Sequence, residues 1–162
     1  MREIKFKAYL KKEKKIYKVI RISFWTDEIY LSVYKDGLYS YSLNENEVEL
    51  LQCIGEKDKT GKELYEGDIV KFRYKDWIYN PKTGKHKFGF CEATGYIKYA
   101  NGEYQVEQIT GKDTLAGNAF YSPDGREFNW NELEIIGNRF ENPELMEEDK
   151  CLTKTDTRQG QK

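Results

Sequence analysis

The sequence predicts a mainly β fold, a small barrel or sandwich with little helix. Three observations carry this expectation. Apolar and polar residues alternate at period two through most of the chain, the periodicity of strands with one buried face. Gly, Asn and Asp turns interrupt these runs at spacings of eight to twelve residues. No long stretch repeats its apolar residues at helical spacing.

The elements follow in order. Ile4, Phe6 and Ala8 alternate with Glu3, Lys5 and Lys7, which predicts a half-buried first strand. Lys11 to Lys15 is a polar turn, and Ile16 to Phe24 returns as a strand rich in β-branched and aromatic residues. These two form an N-terminal β-hairpin. Ile29 to Tyr34 and Leu38 to Leu43 flank the Asp-Gly turn signal of Lys35-Asp36-Gly37. Asn44 to Asn46 breaks the run. The apolar stretch Val48 to Ile54 fits either a strand or a short helix.

Two tight bends come next, Asp58 to Lys62 and Leu64 to Asp68, and then a strand over Ile69 to Tyr74. Period two puts Val70, Phe72 and Tyr74 on one face and Lys71, Arg73 and Lys75 on the other. Asn80 to Lys85 reads as a polar loop tip. Phe88 to Glu92 and Gly95 to Tyr99 are two further strands, and Asn101-Gly102 turns the second into Tyr104 to Ile109. Thr110 to Gly125 is Gly-rich and irregular, with a turn at Pro123-Asp124-Gly125. One helical turn is predicted at Asn129 to Leu133 and a closing strand at Leu133 to Ile136. Asn142-Pro143 has the pattern of a helix start, Asn as N-cap and Pro in first position. Residues from 147 lack apolar periodicity and are expected to fray as a flexible polar tail.

A chain of 162 residues suits one compact domain, or one with an appended arm. No run approaches the ~20 apolar residues of a spanning helix, so no membrane role is expected. Met1 to Leu10 alternates charged and apolar residues without an apolar signal core. Cys53, Cys91 and Cys151 form no CxxC and suit a reducing cytoplasm. The net charge of −1 hides blocks: residues 1–21 carry +7, 22–70 carry −7, 71–102 carry +5, 103–150 carry −8 and 151–162 carry +2. Such blocks pair within one fold, pair across subunits, or leave a basic face open to a polyanion.

Catalytic and metal-binding patterns are absent. His86, the one histidine, lies between Lys85 and Lys87, and no nucleophile is near it in sequence. The cysteines and His86 lack zinc spacing. Glu45, Glu47 and Glu49 lack the Gly-containing turn of a calcium loop and read as a solvated acidic face. Tyr79 and His86 stand where a phosphate loop around Gly84-Lys85 needs Gly and Ser or Thr. Gly111 to Gly125 has no strand and helix framing a dinucleotide site. No catalytic residue, cofactor or metal is expected. Cys53 and Cys91 read as small core residues. Nucleic acid has one candidate surface, the basic-aromatic strand face Lys71, Arg73, Lys75, Trp77 and Tyr79. Single-strand binders combine cations and stacking platforms in this way. Against it stands the even overall charge.

Three segments resemble the YopX family of bacteriophages and prophages. Met1 to Tyr9 (MREIKFKAY) is similar to the family opening MREIKFRAW. Gly55 to Val70 (GEKDKTGKELYEGDIV) resembles TGLKDKNGKEIYEGDIV, and Glu134 to Leu145 (EIIGNRFENPEL) resembles EVIGNIYENPEL. Order and spacing agree across residues 1–146. The departures are Cys53-Ile54-Gly55-Glu56 for Tyr-Thr-Gly-Leu and Tyr9 for Trp, both of them packing changes. The resemblance implies a small SH3-like β-barrel with an N-terminal β segment and no catalytic residue. It divides the chain into residues 1–54, hairpins packed on the barrel; 55–146, the barrel with a short C-terminal helical turn; and 147–162, the tail. Gly61, Gly67, Asp68, Gly137 and Pro143 read as a structural turn signature. The function expected is that of a non-enzymatic phage or prophage accessory protein in the bacterial cytoplasm. It acts through protein contacts with its own copies, or with a phage or host protein. The alternative is a nucleic-acid-binding SH3-like module.

Overall fold

A computed structural model of the chain describes residues 4–25, 28–34, 37–42, 47–80, 82–110 and 129–147. These form the strands β1 (Phe6–Leu10), β2 (Lys15–Trp25), β3 (Glu28–Tyr34), β4 (Leu38–Ser42), β5 (Val48–Lys57), β6 (Glu63–Tyr65), β7 (Asp68–Asn80), β8 (Lys85–Ala100), β9 (Glu103–Thr110) and β10 (Glu134–Asn138). Two 3-10 turns, Trp130–Glu132 and Pro143–Met146, are the only helical elements among the described residues. Lys35-Asp36, Asn44 to Asn46, residues 111–128 and the tail from 148, with Cys151, lie outside the described residues.

The strands make two antiparallel sheets, β4-β3-β2-β1-β5-β6 and β10-β7-β8-β9. The mainly β class and the N-terminal hairpin therefore hold. What is observed is two open antiparallel sheets, neither of them closed into the SH3-like barrel that the resemblance implies. The physical reason is how β5 and β6 meet the smaller sheet. They contribute the buried side chains Ile54 and Leu64 to a core with Val70, Phe72, Ala93, Ile97, Val106 and Leu133, and their ladder partners are β1 and each other. Apolar packing, not a hydrogen-bonded ladder, joins the two sheets. Burying a Leu or Ile side chain contributes about 1.5–3 kcal/mol. A second cluster, Ala8, Leu10, Leu31, Val33 and Val48, holds the larger sheet together.

Other local expectations are settled in the same way. Val48 to Ile54 is a strand, since β1 pairs with it from Leu10–Val48 to Phe6–Gln52. The division at residue 54 falls inside β5. The two strands expected at Phe88 to Glu92 and Gly95 to Tyr99 are one, β8. Gly95 does not break it; it is the point where β9 comes closest. A Cβ there would lie 2.6 Å from the Glu107 carbonyl oxygen and 2.6 Å from Val106 Cγ1. Asn101 (φ 54°) and Gly102 (φ 87°) adopt the left-handed pair that a two-residue hairpin turn requires.

Gly95→Ala is expected to destabilise the fold by about 1–3 kcal/mol, because β9 backbone would have to move. Gly102→Ala meets no atom within 4 Å and is expected to cost about 1 kcal/mol from its positive φ alone. Urea unfolding of both variants checks the order.

Candidate functional site

The bends around β6 and the end of β10 interlock. Gly61 (φ 86°) and Asp58 shape the first bend. Asp58 Oδ1 accepts from the Thr60 N–H at 2.8 Å, the Thr60 hydroxyl at 2.7 Å and the Lys62 N–H at 3.0 Å. Its Oδ2 accepts from the Ile135 N–H at 3.3 Å, and the Lys59 N–H donates to the Leu133 carbonyl at 2.8 Å. One buried carboxylate thus fastens this turn to β10. Burial pushes the Asp58 carboxyl up, but the donors, led by the Thr60 hydroxyl, outweigh it and hold the group below its usual range.

Asp68 does the same at the second bend. Its Oδ2 accepts from the Tyr65 N–H at 2.9 Å and its Oδ1 from the Asn138 side-chain amide at 3.1 Å. Asn138 Oδ1 in turn accepts from the Phe140 N–H at 3.0 Å. The Gly67 N–H donates to the Ile97 carbonyl, and the Gly67 carbonyl accepts from the Arg139 N–H, both at 2.8 Å. Gly67 (φ 80°) is required on two counts, since a Cβ would also sit 3.0 Å from the Phe140 ring. Burial raises the Asp68 carboxyl, against the Asn138 donor, the charge of Lys7 and the Tyr65 N–H. Gly137 lets the chain fold back: its Cβ would meet Asn142 Oδ1 and Leu145 Cδ1 at 2.8 Å. Pro143 opens the last 3-10 turn as expected. Asn142 stands at the N-cap position but makes no side-chain capping bond; its Oδ1 accepts from the Asn138 N–H at 3.2 Å instead.

The first segment of the chain closes the junction. The Tyr9 ring stacks on Phe140 at 4.9 Å, the Lys7 ammonium lies 3.9 Å over the Tyr65 ring, and Lys5 pairs with Glu63. Lys7, Lys18, Asp68, Asn138 and Glu141 line a cleft of about 340 Å³ beside it. Both Asp68 oxygens are held by donors, so the carboxylate is an anchor with no lone proton acceptor aimed into the cleft. His86 lies on β8 opposite Tyr79, away from this junction. Among the described residues no group of three or more His, Cys, Asp or Glu could hold a metal ion. Cys53 is buried, as expected of a core residue. No helix is long and apolar enough to cross a membrane among the described residues.

The candidate nucleic-acid face lies elsewhere, on β7. Val70 and Phe72 point into the core while Lys71 and Arg73 do not. The neighbouring strand adds a residue that the sequence analysis did not connect with them. Glu92 lies across from Arg73, 2.7 Å from the Lys71 ammonium and 3.9 Å from Arg73 Nε. The Arg73 guanidinium also lies 5.0 Å from the centre of the Phe90 ring, which is 60% exposed. Lys75, Trp77 and Tyr79 pair through their backbones with Phe90, Phe88 and His86. Their side chains lie outside the described residues. Period two in Phe88, Phe90 and Glu92 was the available signal, but only the β7–β8 register puts it beside Arg73.

β7 and β8 also outrun their neighbours. β10 pairs with β7 only from Asp68 to Lys71, and β9 with β8 only from Thr94 onward. The eight pairs from Arg73–Glu92 to Asn80–Lys85 have no further strand on either side among the described residues. They form a two-stranded arm of roughly 25 Å at the usual rise per residue.

Asn138→Ala is expected to cost about 2–3 kcal/mol, because it leaves a buried carboxylate short of a donor. Asp68, already raised, would rise further. A raised carboxyl loses stability as pH climbs through its folded pKa, so the deficit should be largest at neutral pH and shrink in acid. Asp58→Asn should also cost most at neutral pH, for a different reason. The stability from a lowered carboxyl is present above the unfolded pKa and lost as pH falls through the folded one, so this deficit too is full at neutral pH, but the variant's remaining stability should be less acid-sensitive than the wild type's. Unfolding in urea between about pH 3 and pH 7 checks both.

The family described as YopX protein matches residues 5–147. The crystal structure of protein EF1440 from Enterococcus faecalis is similar at 24% identity, covering 91% of this chain and 100% of that one, with a TM-score of 0.48. No curated protein matches. Three separated motifs that meet in one hydrogen-bonded junction, together with a family match over residues 5–147, show that this chain belongs to the YopX family.

Proposed function

We propose that the protein is a non-enzymatic accessory protein of a phage or prophage, working in the bacterial cytoplasm through protein contacts and self-association. The observation that carries this reading is the β7–β8 arm. A lone two-stranded ribbon is marginal in water, so an arm of eight pairs that no further strand flanks among the described residues gains stability from a surface that covers it. Open sheets support the same reading. Among the described residues β4, β6, β9 and β10 are edge strands, and an edge presents unpaired backbone donors and acceptors. The Asp58 and Asp68 carboxylates of the junction are engaged by turn and anchor donors, which suits a scaffold. Light scattering across a range of concentrations and salt should give a mass above one chain. A monomer throughout would overturn the self-association reading.

The second reading, a nucleic-acid-binding module, is favoured by one observation: Arg73 lies over an exposed Phe90 beside Lys71. Glu92 opposes it by occupying both cations. If nucleic acid binds here, Glu92→Ala should tighten binding of single-stranded DNA at low salt, and Lys71, Arg73 and Lys75→Glu together should abolish it. No gel shift at low salt with either protein excludes this reading.

A further inference from the structure

We infer that an acidic aromatic groove at the far end of β8 receives the β7–β8 arm of a second copy of the chain. This rests on the self-association reading and names its surfaces. The groove is open and about 930 Å³ in volume. Its charge comes from Glu56 at the end of β5, Glu66 in the β6–β7 turn and Glu103 at the start of β9; its rings are Tyr99, Tyr104 and Trp130. Tyr99 and Tyr104 meet edge to face at 5.2 Å, and Tyr99 is 58% exposed. The described lining residues include no lysine or arginine. Among the described residues, none of the three carboxylates is in a salt bridge. A groove built from carboxylates and aromatic faces fits ammonium and guanidinium groups, which gain from both charge and ring quadrupole.

The arm has the complementary chemistry. From residue 73 to residue 92 the sequence carries Arg73, Lys75, Lys82, Lys85 and Lys87 against Asp76 and Glu92, and Glu92 is paired with Arg73 at the base of the arm, which leaves the tip basic. Phe88 and Phe90, on the face beside Arg73, are 43% and 60% exposed. Geometry selects a second copy over the chain itself. The arm's tip is at one end of β8, where Lys85 begins it, and the groove is at the other, where Ala100 leads into Gly102 and Glu103. Sixteen residues of strand separate them, so one chain cannot fill its own groove. Two copies laid antiparallel about a two-fold axis across β8 place each tip at the other's groove. That arrangement closes as a dimer with two identical contacts, and each contact raises the effective concentration of the other.

The test uses the full chain and charge exchange, read by sedimentation equilibrium. Glu56→Lys with Glu103→Lys reverses the groove; Lys85→Glu with Lys87→Glu reverses the arm. Each double variant alone should self-associate about tenfold or more weakly than wild type, since like charges then meet. An equimolar mixture should recover association, because each arm again faces an opposite groove. Circular dichroism confirms that each variant is folded. If lysine in the groove prevents folding, Glu56→Gln with Glu103→Gln should still weaken association. A wild-type dimer that both reversed variants retain unchanged would overturn this inference and leave self-association standing. A wild-type monomer at every concentration would overturn both. Loss of binding to a lysine-rich peptide in the groove variants, with self-association unaffected, would overturn the occupant named here.

Discussion

The carboxylate of Asp68 is the point on which the architecture turns. It is buried at the start of β7, and its two oxygens are shared between the preceding bend, through the Tyr65 N–H, and the distant end of β10, through the Asn138 amide. A charge removed from water needs donors on each side. That need fixes the bend that leaves β6 and the turn that follows β10 relative to one another. Once they are fixed, Gly67 can pass its N–H to Ile97 and its carbonyl to Arg139, and β10 can lie along β7. The Tyr9–Phe140 stack then brings in the first hairpin. The larger sheet is thus held to the smaller one by a polar knot at one place and by the packing of Ile54 and Leu64 against the smaller sheet's apolar core at another.

Asp58 and Asp68 carry the same residue type to opposite electrostatic ends. Burial raises both. At Asp58 the Thr60 hydroxyl and three backbone N–H groups overcome that penalty. At Asp68 one side-chain amide and one backbone N–H do not. The number of donors decides the balance, because each bond to a charged oxygen contributes about 1.5–3 kcal/mol against a burial penalty of several. An anchor of this kind specifies geometry more than it adds stability. It explains why the most distinctive sequence of the chain, from Asp58 to Val70, is built around two bends.

Much of this was legible in residues read alone. Period two exposed the division of β7 into Val70 and Phe72 against Lys71 and Arg73, because successive side chains in a strand must point apart. Asn101-Gly102 announced its hairpin, since few other pairs adopt positive φ twice. Gly95 misled, because a glycine in a strand signals either an interruption or a close backbone approach, and sequence cannot distinguish them. The basic face was legible as a pattern of cations, but not its neutralisation. Glu92 is nineteen residues from Arg73 in sequence, and only strand register brings their side chains together.

The sequence by itself determined the β class, the turns at Asp58 to Gly61, Gly67-Asp68 and Asn101-Gly102, and the family, because these depend on period, on left-handed backbone positions and on local side-chain hydrogen bonds. Tertiary structure alone decided that the sheets remain open, that two bends and a distant Asn share one buried carboxylate, and that β7 and β8 outrun their neighbours. These depend on which strands find one another across long loops. Ladder pairing and apolar packing are summed over the whole chain, and no local stretch of residues contains that sum.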